Sequence, residues 1–136
     1  MMKAVRNDDV SAFILNNVLK IQMAAPFAGF VIQDDRGMPV GAFALHGYNG
    51  ANIELTICCD KPLGVRVTRY IARLAFIEMN VRRIMVHTSV HNEKAQRAIK
   101  SLGFVHEGRC KDFYADCDAY QFALLRSDQK LIRIKE

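Results

Sequence analysis

The sequence lacks any apolar run that approaches the length of a membrane-spanning helix. Its first residues, MMKAVRNDDV, also lack the apolar region of a signal peptide. No internal repeat, low-complexity segment or linker divides the chain, and 136 residues leave room for one domain. We therefore expect a single domain, residues 1–136, in a cytoplasmic protein that does not contact a membrane.

A CxxC pair is absent as well. Cys58 and Cys59 are adjacent, and Cys110 and Cys117 do not have the spacing of a zinc knuckle. Cysteines without ligand or redox spacing are typical of buried, reduced thiols. The sequence therefore predicts neither a metal site nor a thioredoxin-like redox pair.

Positive charge is in excess, because 19 Lys and Arg residues accompany 14 Asp and Glu residues and give a net charge of +5. That charge suits an anionic ligand, a nucleic acid or an acidic partner. The basic residues are scattered, and neither a recognition helix nor an aromatic-plus-basic motif accompanies them. Nucleic acid is therefore the weakest of the three options.

Apolar periodicity predicts three helices. The first covers residues 7–22 and the second runs from 65 to about 80. The third covers 91–104, where Asn92 can cap the first turn and Gly103 fits the left-handed closing position. The predicted apolar stripes are Val10, Phe13, Ile14, Val18 and Ile21 on the first helix, and Val67, Tyr70, Ile71, Leu74 and Ile77 on the second.

Six strands are predicted between and after these helices. Residues 28–48 form two strands around a turn, and the others lie in 52–59, 82–90, 104–110 and 119–126. The order is helix, three strands, helix, strand, helix, two strands. We expect a mixed α/β (α+β) domain with a mostly antiparallel sheet and one parallel crossover in its second half.

The stretch DKPLGVRVTRY, residues 60–70, has the pattern of a strand end, a glycine turn and the start of a helix. Gly64 lets backbone N–H groups approach a ligand closely, and the helix N-terminus adds partial positive charge. Lys61 and Arg66 are cations where the helix dipole disfavours them by about 0.3–1 kcal/mol each. A bound anion would reverse that sign. The alternative is that these long side chains extend into water.

Residues 61–108, from KPLG to HEG, resemble the core of the GNAT (Gcn5-related) N-acetyltransferases, closest to the ribosomal-protein alanine N-acetyltransferase branch. The similarity extends over roughly residues 29–126. The resemblance implies a GNAT-like fold and transfer of an acetyl group from acetyl-CoA to an amine of a protein or small molecule. The motif N-x-x-(A/S)…G-F-x-x-E-G is matched in spacing by Asn92, Ala95, Gly103, Phe104, Glu107 and Gly108.

The family's second motif, R/Q-x-x-G-x-G/A, is matched only in part. Lys61 stands at its first position and Gly64 at its first glycine, but Arg66 replaces the second small residue. In the family this loop binds the coenzyme A pyrophosphate through main-chain amides. Arg66 could crowd the pyrophosphate, or it could turn outward and pair with a phosphate oxygen. The segment that the resemblance assigns to the cofactor comprises Lys61, Leu63, Gly64, Val65, Arg66 and Val67.

The resemblance also implies the parts of an acetyl-transfer site. The backbone at Ile57 and Cys58 would bind the thioester carbonyl in a gap between strands, and Glu54 is the candidate base, with an ordinary exposed strand glutamate as the alternative. The family's usual tyrosine acid is replaced here by Ile99, which leaves Tyr114 as the candidate acid. Asn92 could also contact the cofactor, with a helix cap only as the alternative. Arg97, with Lys94 and Lys100, could meet its terminal phosphate, and a solvated helix face is the alternative for these three residues.

Two functions follow from these residues. The first is an acetyl-CoA-dependent N-acetyltransferase that works by direct attack of the amine rather than through an acyl-cysteine, since no histidine is placed by sequence to activate Cys58 or Cys59. The second is a catalytically inactive GNAT-like binding or structural protein, for example an accessory viral protein. The front of the chain fits only one short helix before the hairpin. We therefore expect an acceptor site that is reduced, more open or completed by a partner chain, such as a second copy in a homodimer.

Overall fold

The computed structural model describes residues 1–135 and contains one seven-stranded sheet with three α-helices. The α2 helix continues directly into a π-helical turn, Arg73–Glu78. The strands are β1 (Lys3–Arg6), β2 (Phe27–Gln33), β3 (Pro39–His46), β4 (Asn52–Cys59), β5 (Arg83–Ser89), β6 (Val105–Cys110) and β7 (Ala119–Leu125). The helices are α1 (Asp8–Leu19), α2 (Gly64–Ala72) and α3 (Glu93–Ser101).

The strand order is β1-β2-β3-β4-β5-β7-β6. Only the β4–β5 pair is parallel, and every other neighbouring pair is antiparallel. The predicted mixed sheet with one parallel crossover in its second half is therefore confirmed, and α2 is the helix of that crossover. No helix within residues 1–135 is both long enough and apolar enough to cross a membrane.

Strand β1 was not predicted from the sequence. Its four residues include only two apolar ones, and none of the four is buried. Such a segment is too short to display a period of two. It forms because it completes the sheet edge, pairing in register with β2 from Lys3 opposite Gln33 to Arg6 opposite Phe30.

The sheet separates two apolar clusters. The main core lies on the face covered by α2 and α3, and its β3 residues are Phe43 and Leu45. Ala42 and Ala44, which point to the opposite face because strand side chains alternate, pack with Leu15 of α1 in a smaller cluster. Helix α1 is therefore the only helix of residues 1–135 that packs on this second face.

The predicted apolar stripe of α1 is wrong for most of its residues. Val10, Phe13 and Val18 are 40%, 69% and 58% exposed, and Ile14 packs half-buried against the smaller cluster. Ser11 and Leu15, outside the predicted stripe, are completely buried. The reason is a close approach between Ser11 and Gly29 of β2. An added Cβ at Gly29 would overlap the Ser11 hydroxyl and lie 3.1 Å from the Asp8 Cα. Contact with a glycine selects the small face of the helix, not its most apolar one.

Hydrogen bonds fix α1 in this orientation. The Asn7 side chain accepts from the Val10 N–H at 3.1 Å, as an N-cap does. Asp8 accepts from the Gly29 N–H at 2.8 Å and from Arg6 at 2.7 Å, and the pKa of Asp8 is held below its ordinary value mainly by the Arg6 hydrogen bond. The Ser11 hydroxyl donates to the Asp8 carbonyl at 2.9 Å.

The second helix begins and ends close to its predicted bounds, but the face that it buries changes along its length. Val67 and Ile71 are buried as expected, whereas Ile77 is 50% exposed. Ala75 and Phe76 are buried in its place. The wider π-helical turn explains this shift, because each residue then advances by a smaller angle than in an α-helix.

The approach of α1 to β2 can be tested with Gly29→Ala. The new methyl group has no room unless the helix moves, so we expect the free energy of unfolding to fall by about 1–3 kcal/mol in urea titrations. Gly108→Ala is the matched control, since an added Cβ there meets nothing within 4 Å. Equal stability of Gly29→Ala and the control would show that α1 does not depend on this contact.

Candidate functional site

Strands β4 and β5 pair over only half of their length. The parallel register runs from Asn52 opposite Arg83 to Leu55 opposite Val86 and then stops. Beyond that point β4 stays paired with β3, and β5 stays paired with β7. The sheet therefore opens between residues 56–59 and residues 87–89, and this opening is called the strand gap below.

The direction of the backbone N–H groups at the strand gap follows from the β3–β4 ladder. The Asp60 N–H donates to the Val40 carbonyl at 2.8 Å, and β4 stays in register with β3 from Cys59 back to Glu54. Alternate residues of an antiparallel strand face opposite neighbours. The N–H groups of Cys58 and Thr56 therefore point to β3, whereas the N–H of Ile57 points into the strand gap.

Gly41 allows β3 to hold β4 at this point. An added Cβ at Gly41 would overlap the Cys58 carbonyl and lie 2.8 Å from the Cys59 Cα. The two backbones thus approach more closely than any side chain would permit. The contact supports β4 from the β3 side where its support from β5 has ended.

Helix α2 begins after the strand gap with open N–H groups. Its N-cap residue, Leu63, makes no side-chain capping hydrogen bond, and the first turn contains no acidic residue. Gly64 has a φ of +76°, in the left-handed region where glycine is preferred. Lys61 and Arg66 are both exposed beside these groups. Unsatisfied N–H groups, the helix dipole and two cations together make an anion-binding arrangement.

The side chains around Gly64 differ in what they can contribute. Val67 is 1% exposed and belongs to the main core, so only its main chain is available to a ligand. Leu63 is half-buried against the same core, whereas Val65 is 63% exposed. Thr68, which was not predicted as a site residue, donates its hydroxyl to the Gly64 carbonyl at 2.7 Å and fixes the turn.

Glu54 lies on β4 with its side chain 19% exposed, on the sheet face that carries α1. It contacts His87 of β5, whose Nδ1 is 3.0 Å from the Glu54 Oε2 and whose side chain is 6% exposed. The simple alternative for Glu54, an ordinary exposed strand residue, does not fit this burial. His87 was not predicted as a site residue, because a period-2 pattern gives its face but not its cross-strand neighbour.

Tyr114 lies in the loop between β6 and β7 and is half-buried. Burial, together with the charge of the neighbouring Glu54, raises the pKa of Tyr114 to about 12. The structure thus places two predicted catalytic residues, Glu54 and Tyr114, near each other although 60 positions separate them in the sequence. Such a phenol stays protonated at neutral pH.

The two adjacent cysteines occupy opposite faces of β4. Cys58 packs against the small cluster under α1, and Cys59 packs against the main core. Burial raises the pKa of the Cys58 thiol, which disfavours the thiolate that a covalent mechanism requires. No cluster of three His, Cys, Asp or Glu side chains in the part of the chain described could hold a metal ion.

Asn92 caps α3, since its side chain accepts from the Ala95 N–H at 3.0 Å, and Gly103 ends the helix with a φ of +99°. The capping role predicted for Asn92 is confirmed. Arg97 is exposed on α3, and Ile99 is half-buried against the main core. A further group of cations lines a cavity of about 580 Å³ beside α2, formed by Arg69, Arg73, Lys130, Leu131, Ile132 and Arg133.

Comparison with solved structures shows the same architecture in known acetyltransferases. A variant spermidine/spermine N-acetyltransferase from Vibrio cholerae aligns with a TM-score of 0.77 at 17% identity, over 93% of this chain and 96% of that one. The dodecameric spermidine N-acetyltransferase from the same organism gives 0.75 at 19% identity, over 93% and 94%. A probable acetyltransferase gives 0.66 at 21% identity, over 74% and 62%.

No protein-family model and no curated protein matches the sequence. The likeness to the solved structures is one of fold, and the GNAT-like acyl-CoA N-acyltransferase fold expected from the resemblance is confirmed. Fold alone identifies neither a ligand nor a reaction, so a functional proposal must come from the residues of the strand gap and of the α2 N-terminus.

The pH dependence of stability tests whether His46 on β3 is buried and neutral in the folded protein. Its Nε2 lies 2.7 Å from the Thr56 hydroxyl, and burial lowers the pKa of His46 below its ordinary value. The unfolded chain then binds the proton more readily, so stability should fall as the pH drops below about 6.5, by at most about 1.4 kcal/mol per pH unit.

Urea titrations at pH 7.5 and 5.5 measure this loss. We expect the loss to be smaller in His46→Gln, which keeps a side-chain hydrogen bond to Thr56 but does not titrate. His91→Gln, at an exposed position, is the control and should resemble the parent protein. A loss that is the same in all three proteins would contradict the buried, neutral state of His46.

Proposed function

We propose that the protein is an acetyl-CoA-dependent N-acetyltransferase that transfers an acetyl group to an amine by direct attack. One observation carries this proposal. An unpaired N–H of Ile57 in the strand gap is followed along the same chain, seven residues later, by the uncapped N-terminus of α2. An elongated ligand with an acyl group at one end and phosphates further along has polar partners at both places.

The residues at the α2 N-terminus fit the phosphates of coenzyme A. The main-chain N–H groups of residues 63–67 would hold the pyrophosphate, and the exposed guanidinium of Arg66 is free to pair with a phosphate oxygen. Asn92, Arg97 and the neighbouring α3 lysines would serve the rest of the nucleotide. Bound there, acetyl-CoA supplies an activated acyl group as a thioester.

The residues around the strand gap would divide the chemistry among them. The Ile57 N–H would donate to the carbonyl oxygen as negative charge develops on it. The Cys58 N–H, also expected from the sequence, points to β3 and would not take part. As the amine nitrogen forms its bond to the carbonyl carbon and the carbon–sulfur bond breaks, Glu54 would accept the proton that the amine loses. Tyr114, protonated at neutral pH, would supply a proton to the departing sulfur.

The acceptor is an amine of a protein or a small molecule. The motif from Asn92 to Gly108 supports the ribosomal-protein alanine branch, whereas the solved structures similar to this chain include spermidine acetyltransferases. Polyamines and peptides that begin with alanine are therefore the two acceptor classes to assay first. A single helix before the β2–β3 hairpin supports an acceptor site that is open on the α1 side.

Cofactor binding is tested by thermal unfolding with and without acetyl-CoA. At a hundredfold its dissociation constant the ligand should add about 2.7 kcal/mol, which raises the midpoint by several degrees in a domain of this size. Dephospho-CoA should give a smaller shift if the terminal phosphate is bound. No shift at millimolar acetyl-CoA would favour the second function, a GNAT-like binding protein without catalysis.

The same assay decides what Arg66 does. Arg66→Gln removes the charge and should weaken acetyl-CoA binding several-fold, since a charge-assisted hydrogen bond contributes about 1.5–3 kcal/mol before exposure to water weakens it. Arg82→Gln, at an exposed position directly before β5, is the control. If Arg66→Gly binds more tightly than the parent protein, the arginine is an obstruction.

Catalysis is tested with Glu54→Gln. Loss of the base should reduce turnover about 10²–10⁴-fold and leave acetyl-CoA affinity unchanged, because the carboxylate lies away from the α2 N-terminus. Glu78→Gln, at an exposed residue of the π-helical turn, is the control for removal of one negative charge. Turnover of Glu54→Gln at the parent rate would remove Glu54 from the mechanism.

A further inference from the structure

Five polar side chains form one chain of hydrogen bonds across strands β4, β5, β6 and β7. His87 lies between Glu54, at 3.0 Å from its Nδ1, and Gln121, at 3.1 Å from its Nε2. The Gln121 amide nitrogen donates to the Glu107 Oε1 at 3.1 Å. Glu107 in turn accepts two hydrogen bonds from the Arg83 guanidinium at 2.7 and 2.9 Å.

The Arg83 end of this chain has a fixed charge. Two parallel N–H···O bonds from a guanidinium require an ionised carboxylate, and the Arg83 hydrogen bond holds the pKa of Glu107 below its ordinary value. Glu107 can therefore only accept hydrogen bonds. Gln121 must direct its NH₂ group to Glu107, because the rotated amide would place two acceptor oxygens against each other.

The orientation of Gln121 determines the proton on His87. With the NH₂ group committed to Glu107, the carbonyl oxygen of Gln121 faces the His87 Nε2, and a carbonyl can only accept. The Nε2 must therefore carry a hydrogen. At the other ring nitrogen, a second hydrogen lies between Nδ1 and the Glu54 carboxylate.

That second hydrogen is required, because an unprotonated Nδ1 and a carboxylate would place two acceptors 3.0 Å apart. On His87 it makes a charge-assisted hydrogen bond between an imidazolium and a carboxylate, the stronger form of this contact. The Phe113 ring adds a further preference. It stacks on His87 with ring centres 4.2 Å apart and planes 19° apart, and the negative face of an aromatic ring attracts a cation. Both contacts favour a ring with hydrogen on each nitrogen.

We propose that His87 is the positioning residue for Glu54, held as an imidazolium by the chain through Gln121 and Glu107 to Arg83. His87 fixes one carboxylate oxygen of Glu54, so that the other oxygen is the one presented at the strand gap. This role rests on the proposed acetyltransferase function, but the protonation of His87 does not. It is a property of the folded chain in the absence of any ligand.

Other titratable groups surround the pair. His46 on β3 lies near both Glu54 and His87, and burial lowers its pKa. Tyr114 contributes a neutral phenol, and the thiols of Cys110 and Cys117 contact Gln121 at 3.8 Å and the Ser89 hydroxyl at 3.2 Å. Within residues 1–135, the hydrogen-bonded side chains include one carboxylate besides Glu54. That carboxylate is Glu107, which is paired with Arg83.

Nitrogen NMR of the ¹⁵N-histidine-labelled protein at pH 7.5 tests the proton count directly. We expect both ring nitrogens of His87 to carry hydrogen, with His91, an exposed residue, as the comparison in the same spectra. His87→Gln assigns the signals. A neutral His87 with one N–H at this pH would overturn the proposal, whatever the protein's enzymatic activity.

Glu107→Gln tests the chain of hydrogen bonds without altering His87 or Glu54. The new amide can donate to Gln121, which frees the Gln121 amide to rotate and to donate to the His87 Nε2. We expect His87 to lose one of its two hydrogens at pH 7.5 and kcat to fall at least threefold, with unchanged acetyl-CoA affinity. A His87 signal identical to that of the parent protein would contradict the proposal that Glu107 determines the protonation of His87 through Gln121.

The His87 variants separate positioning from folding. His87→Gln retains a donor to Glu54 and should keep more of the parent kcat than His87→Ala, while both retain the parent acetyl-CoA affinity. Equal kcat in the parent protein and His87→Ala would contradict the positioning role. If acetyl-CoA does not bind any of these proteins, the proposed function fails, and the NMR result still decides the state of His87.

Discussion

The early end of the β4–β5 pairing is the constraint on which the rest of the site depends. β4 is tied to β3 up to Cys59, and β5 is tied to β7 up to Ser89, so each strand is stable although the two separate after Leu55 and Val86. Separation leaves the Ile57 N–H without a strand partner. If β4 and β5 paired over their whole length, the Ile57 N–H would form a hydrogen bond to β5 and could bind no ligand.

The face of the sheet beneath this opening is divided between two kinds of contact. Under α1 the contacts are small and close, as at Ser11 and Gly29, and they leave little space. Beyond α1 the same face carries the hydrogen-bonded side chains from Glu54 to Arg83. The Phe113 ring covers His87, and Tyr114 lies near Glu54. Burial makes His87 and Glu54 costly unless they are paired, which is why each has a defined hydrogen-bond partner.

Local sequence predicted those features that depend on near neighbours. Asn92 and Gly103 lie at the two ends of α3 as expected. The alternation of β4 correctly placed Glu54 on the other face of the sheet from Ile53 and Leu55. Local sequence failed to predict buried faces and strand pairings that depend on residues far away in the chain. The apolar residues of α1 predicted the wrong buried face, because Gly29, which selects that face, lies on another element. β1 has no pattern of its own and exists only as the partner of β2.

The sequence by itself determined the kinds and order of the elements after β1, the mixed sheet and the glycine turn that begins α2, since periodicity and turn chemistry are local properties. It also identified Glu54 as a candidate base from its face of a strand. Only the tertiary structure decided which groups meet that carboxylate. His87 and Tyr114 come from separate strands and loops, and their positions follow from sheet register, which no single segment encodes. Cross-strand pairing therefore fixed the chemistry of the site.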